Sequence, residues 1–162
     1  MPEVFSDTSP LQYLHQIGLL HVLPALVERV VVPPAVDEEL AVGRRAGIDL
    51  PDPRALEWIT IRSPASALAI PLVTDLGPGE TEVLTLAAES PESIILLDDA
   101  LARRAADMLG LRVRGTLGVL LDAKRAGLLP AVGPLLDRLQ ELRFRVSPRT
   151  RNAVLALAGE PG

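Results

Sequence analysis

Short apolar runs alternate along this chain with longer segments of helical period. Ile94 to Leu97 is wholly apolar and stops on Asp98-Asp99, and Val30-Val31-Val32 is β-branched and stops on Pro33-Pro34. Runs of this length bounded by turn residues predict buried parallel strands. A first strand is predicted over Glu3 to Ser6, leading to Asp7. Leu56 to Arg62, alternating around Trp58, predicts an edge strand, and Arg112 to Arg114 a brief fifth.

Between the strands the punctuation is helical. Ser9 is a natural N-cap with Pro10 at the first helical position, Gly18 can close that helix, and Leu11, Leu14 and Ile17 line one face. Leu19 to Val27 predicts a short helix that bends or stops at Pro24. Pro34 opens a helix to about Ala46, Gly47 to Pro53 is a loop, and Pro78 opens a helix led by Glu80 and Glu82. Ala100 to Leu109 is a helix closed by Gly110, and Thr116 is read as the cap of a helix over Leu117 to Ala126. Two tail helices are predicted, Pro134 to about Leu142 and, capped by Ser147, Arg149 to Ala158.

Strands alternating with helices imply an α/β fold with a central parallel sheet, because each crossover between parallel strands needs a helix-length connection. The 162 residues suffice for a single domain over 1–162. Its core is expected at about 3–130, with a C-terminal helical extension over about 131–160.

Composition narrows the chemistry. The core must be aliphatic, since the chain is 48% hydrophobic yet holds only two Phe, one Trp and one Tyr. A surface of stacked aromatics reading RNA is therefore not expected. The absence of Cys excludes disulfides, thiolate zinc sites and cysteine nucleophiles. The opening M-P-E-V-F-S-D shows no basic segment followed by an apolar one, and no apolar run has the length of a bilayer span, so a cytoplasmic protein with no membrane partner is expected.

The net charge of −5 is unevenly spread. Residues 1–100 carry five Arg/Lys against sixteen Asp/Glu, and residues 101–162 carry eleven against five, giving −11 and +6. An acidic centre beside a basic flank can hold a cation at one and a phosphate backbone at the other. Arg125, Arg138, Arg143, Arg149 and Arg151 read mostly as ordinary solvated helix faces.

Asp7, Glu38 or Glu39, Glu80 or Glu82, Asp98 and Asp99 each follow a strand or lie early in the next helix. Parallel strands share one C-terminal edge, where such acids converge and where open α/β sheets bind ligands. Carboxylates gathered there repel unless they are protonated or share a cation. An all-oxygen set suits Mg²⁺ or Mn²⁺. Each acid also has a plainer reading: Glu80, Glu82, Glu38 and Glu39 complement helix dipoles, and Asp99 caps the helix from Ala100. Recurrence at several strand ends favours the metal. His15 and His21 read as helix-surface or interface residues, and neither G-x-S-x-G nor a P-loop is present.

Five segments, S-D-T-S-P-L at 6–11, V-P-P-A-V-D-E-E-L at 32–40, L-G-P-G-E-T-E at 76–82, L-L-D-D-A-L-A-R at 96–103 and G-T-L-G-V-L at 115–120, together resemble a PIN domain. The likeness is to a little-characterised prokaryotic branch related to VapC-type toxin ribonucleases, and it spans about residues 3–130. It implies a Mg²⁺- or Mn²⁺-dependent endoribonuclease, with Asp7, Glu39, Glu80 and Asp98 as metal-binding acids, Asp99 beside them, and Thr8 or Ser9 nearby. The chain departs from typical VapC toxins in having Glu where their third acid is usually Asp, and Leu97-Asp98-Asp99 where they commonly show T-x-D.

The expected function is thus hydrolysis of RNA phosphodiester bonds, as the toxin of a toxin–antitoxin pair if that likeness extends so far. Arg103, Arg104 or Arg114 would meet the RNA backbone, an antitoxin would cover the crevice, and a homodimer is expected. The alternative is a catalytically inactive PIN-fold module that binds RNA or protein. A phosphatase using Asp7 as nucleophile fits less well, since Ser9 stands where that chemistry wants a second Asp.

Overall fold

Each apolar run closes into a strand of three residues: β1 Val4–Ser6, β2 Val30–Val32, β3 Ile59–Ile61, β4 Ile94–Leu96 and β5 Arg112–Arg114. In this computed structural model, which describes residues 2–66 and 75–162, they form one all-parallel sheet in the order β3-β2-β1-β4-β5. Strand β1 lies at the centre, with Phe5 opposite Val31 on one side and Ile95 on the other. Phe5 is fully buried there, and truncating it to Ala would cost about 3–5 kcal/mol.

The chain runs from β1 outward to β3, then crosses to β4 on the other side of β1. The direction of winding therefore reverses between β1 and β4, and the crevice at that reversal is the usual ligand site of such sheets.

Among the described residues eight α-helices flank the sheet: α1 Thr8–Gln16, α2 Val22–Val27, α3 Pro34–Arg45, α4 Pro78–Glu89, α5 Ala100–Met108, α6 Thr116–Arg125, α7 Gly133–Glu141 and α8 Pro148–Leu157. A single apolar cluster runs from Val4 to Leu155, so the C-terminal helices share the core of the sheet. The α/β architecture, a central parallel sheet flanked by helices with extra C-terminal helices, is the one expected, and the β3 edge falls where Trp58 placed it.

Three local expectations are corrected. Asp7, not Ser9, is the N-cap of α1, which begins at Thr8. Pro24 neither bends nor stops α2: it lies in the first turn, where its missing N–H costs no helical bond. Thr116 is the first residue of α6 and not its cap, a position taken by Gly115. Gly18 does end the first helical stretch with φ of 76°, the left-handed conformation that glycine adopts without strain.

Candidate active site

Strand register places the first acid. Ser6 pairs with Leu96, and the next backbone N–H, that of Asp7, donates to the Leu96 carbonyl at 3.0 Å. The Asp7 side chain thus emerges at the head of β1 beside the end of β4, 4% exposed. Its carboxyl is pushed up to about 7, chiefly by burial and further by the charges of Glu80, Glu39 and Asp98, against the opposing pull of the Thr8 backbone. Four acids from distant parts of the sequence are therefore electrostatic neighbours, and nothing positive is paired with Asp7 among the described residues.

Asp98 follows β4 and is held from the next element over. Thr116 at the start of α6 donates its backbone N–H to Oδ1 at 2.8 Å and its hydroxyl to Oδ2 at 2.6 Å. Even so, burial lifts the Asp98 carboxyl above the ordinary range; the Thr116 bonds and the Arg103 charge only moderate the rise. Gly115 makes room for this arrangement: a Cβ there would lie 2.8 Å from Arg103 Nη1 and 3.1 Å from Asp98 Oδ1.

Glu80 sits in the first turn of α4, where Oε2 accepts the Gly77 N–H at 3.0 Å in a capping box. It is half-buried, and burial, with Asp99 and Glu39 nearby, raises its carboxyl as well. Glu39 reaches in from α3. Its Oε2 accepts the Thr8 hydroxyl at 2.5 Å and its Oε1 the Gly79 N–H at 3.2 Å. A Cβ on Gly79 would stand only 2.7 Å from that oxygen, so glycine here leaves room for the Glu39 carboxylate in this position.

The neighbouring acids have other engagements. Glu82 Oε1 accepts the Ala35 N–H at 3.0 Å, capping the start of α3 instead of turning to Asp7. Glu38 pairs with Arg45 at 3.2 Å on an exposed face. Asp99 caps α5, accepting the Ala102 N–H at 2.9 Å, which is the plainer of its two roles. His15 meets Asp49 at 2.9 Å, and His21 is exposed.

Of the arginines expected beside the site, Arg114 is engaged elsewhere, gripping Asp122 through Nε and Nη2 at 3.0 and 2.6 Å. Arg104 turns back to the Ala100 carbonyl at 3.4 Å. Arg103 lines the crevice with Asp98. Arg143, read from sequence as a solvated helix face, instead lies in the loop after α7. With Arg145, it walls a cavity of about 580 Å³ that also contains Ser9, Glu80, Asp98 and Asp99.

The donor set suits a hard divalent cation: carboxylates only, three of them raised chiefly by burial, Asp7 and Glu80 further by neighbouring carboxylates. Among the described residues, however, no three acidic or histidine side chains close into a ready-made coordination sphere. The residues fit the ion in chemistry and charge, and binding it requires their side chains to draw together.

A family model described as a PIN domain matches residues 3–160. This chain belongs to the PIN-domain family. PIN domains are generally nucleases and typically use divalent metals, so the crevice between β1 and β4 lies in a nuclease fold. No curated protein matches the sequence. The family match takes in α7 and α8, beyond the segments through which the PIN domain was legible.

Proposed function

We propose that this PIN domain is a metal-dependent endoribonuclease acting at the crevice between β1 and β4. The observation that carries the reading is the Asp7 carboxyl, buried at a strand end and pushed up to about 7 amid three other acids. A site built only for stability would pair such a group with arginine or replace it.

In this reading Asp7, Glu39, Glu80 and Asp98 hold Mg²⁺ or Mn²⁺. Bound there, the ion polarises the phosphodiester and lowers the pKa of water. The chain's own groups set the geometry. Thr116 fixes both Asp98 oxygens, the Gly77 N–H orients Glu80, and Thr8 with Gly79 holds Glu39. Asp7 releases its proton as positive charge enters. The lack of a preformed coordination sphere among the described residues favours one other reading, a PIN-fold module that binds RNA or protein without turnover.

The experiment is cleavage of single-stranded RNA with Mg²⁺, Mn²⁺ or EDTA by the wild type, Asp7→Asn, Glu80→Gln and Glu82→Gln. The expected result is metal-dependent cleavage lost in the first two variants and kept in the third, whose side chain caps α3. Metal-dependent cleavage that survives Asp7→Asn would reject the site. Mn²⁺ binding measured by calorimetry separates the readings, since the non-catalytic module need not bind it. A toxin's role, with an antitoxin over the crevice, rests on the sequence resemblance. It predicts growth arrest on expression that Asp7→Asn relieves.

A further inference from the structure

The loop between α7 and α8 is built unlike most of the other helix ends. Gly18, Gly47, Gly110, Gly127 and Gly159 all take positive φ just past helical stretches, but after α7 that place belongs to Arg143, at φ of 68°. The hydrogen bonds are those of a Schellman motif, Phe144 N–H to the Leu139 carbonyl at 2.9 Å and Arg143 N–H to the Gln140 carbonyl at 3.0 Å. Glycine would fit this position without strain, so an arginine there is held against its backbone preference. Of the described residues, only Glu28, which ends α2, shares this feature among the non-glycines.

The rest of the loop is anchored. Phe144 meets the Tyr13 ring edge-on, centroids 4.9 Å apart, tying the loop to α1, the helix that Asp7 caps. Gln140 Nε2 donates to the Val146 carbonyl at 3.3 Å, and the Ser147 hydroxyl oxygen accepts the Thr150 N–H at 3.1 Å to start α8. The backbone is thus fixed at both ends, while the exposed guanidinium groups of Arg143 and Arg145 have no ion pair or side-chain hydrogen bond among the described residues.

Both residues line the cavity that Glu80, Asp98 and Asp99 also line, and neither is paired with an acid among the described residues. Of the arginines, only Arg103 enters as a charge steadying Asp98, and none steadies Glu80. Arg145 also walls a second cavity of about 360 Å³, with Arg103 and Thr150, which shares Asp98 and Phe144 with the first. The two cavities adjoin at Asp98, Phe144 and Arg145, and together make a trough lined by the acids Glu80, Asp98 and Asp99 and by Arg103, Arg143 and Arg145.

We propose that the α7–α8 loop is a phosphate-docking element, in which Arg143 and Arg145 bind backbone phosphates of a nucleic-acid strand laid along this trough. The identity of the strand as RNA rests on the nuclease reading above. A strand held this way has its flanking phosphates on the arginines and one phosphodiester over the acids. Guanidinium groups suit the task because they present several fixed donors to a phosphate and stay charged.

The test is binding of a fluorescein-labelled single-stranded RNA in EDTA, followed by anisotropy over a series of salt concentrations. The proteins are the wild type, Arg143→Gly, Arg145→Ala and the double variant. Arg143→Gly relieves the backbone, so its Tm is expected not to fall, which separates a binding defect from unfolding. The expected result is weaker binding and a slope of log affinity against log salt that drops by about 0.7 for each arginine removed. Where the wild type cleaves, KM rises and kcat holds. Wild-type affinity and slope in the double variant would overturn the proposal. So would failure of the wild type to bind RNA, or equally good competition by polyglutamate, which would reassign the arginines to an acidic protein partner. RNA bound through the loop but never cleaved would leave the docking element standing and remove the nuclease reading; cleavage untouched by the double variant would do the reverse.

Discussion

Thr116 grips Asp98 with both of its donors, the backbone N–H on one carboxylate oxygen at 2.8 Å and the hydroxyl on the other at 2.6 Å. The backbone bond also places the carboxylate at the positive end of α6. Thr116→Val keeps the shape and the backbone donor but loses the hydroxyl. It should cost about 1–3 kcal/mol in urea unfolding, and lower metal-dependent cleavage while Thr116→Ser retains it. Equal activity in the Val and Ser variants would show that the hydroxyl does not orient Asp98.

The Asp7 carboxyl makes stability depend on pH in a defined sense. Unfolded, it titrates near 3.8; folded, it is pushed up to about 7. Between those values the unfolded chain has released a proton that the folded chain retains, so metal-free stability falls as pH rises through this window and levels off above it. Asp7→Asn removes the penalty. In EDTA at pH 8 the variant should be more stable than wild type by up to about 4 kcal/mol, a gap that closes near pH 4. Urea midpoints across pH measure it, and a less stable variant at pH 8 would contradict the burial argument. Mn²⁺ should raise the Tm of the wild type and leave that of the variant almost unchanged.

Gly79→Ala puts a methyl group 2.7 Å from Glu39 Oε1 and must displace that side chain. Alanine is the better helix former by about 1 kcal/mol, so thermal stability should hold even as Mn²⁺ affinity falls. Calorimetry and a melting curve on the same sample check the pair. Unchanged Mn²⁺ affinity would remove Glu39 from the ion's ligands.

Glu160 offers a control far from the crevice. It takes Lys124 Nζ at 2.8 Å and the N–H groups of Val132 and Gly133 at 2.7 and 2.9 Å, which pull its carboxyl down to about 2. Its contribution to stability is complete above the unfolded value of 4.5 and is lost as pH falls toward 2. Glu160→Gln should cost about 1–3 kcal/mol at pH 7, converge with wild type near pH 2, and leave cleavage unchanged. A pH-independent difference would mean that packing, not charge, holds this end of the chain.

Strand ends were legible because a β-branched or aliphatic run needs a physical reason to stop on a carboxylate; Asp7 and Asp98 were found that way. Helix starts were legible where proline marked them, at Pro34 and Pro78. Long-range side-chain choices were not. Glu80 and Glu82 are equivalent by spacing, and only the packing of α4 against α3 sends Glu82 to the Ala35 N–H. Thr116 looked like a cap because threonine at a helix start usually is one, and its real partner is far off in sequence. Arg143 looked like a helix face because the left-handed position after a helix normally announces itself with glycine.

The central place of β1 between β2 and β4 has a consequence for synthesis. Asp7, Glu39 and Glu80 emerge from a ribosome well before Asp98, and Asp98 gains its grip only once Thr116 has followed. The nascent chain therefore holds an unfinished crevice until the second half of the sheet docks. A protein that cuts RNA in the way proposed here would lack a finished crevice until Thr116 has joined Asp98.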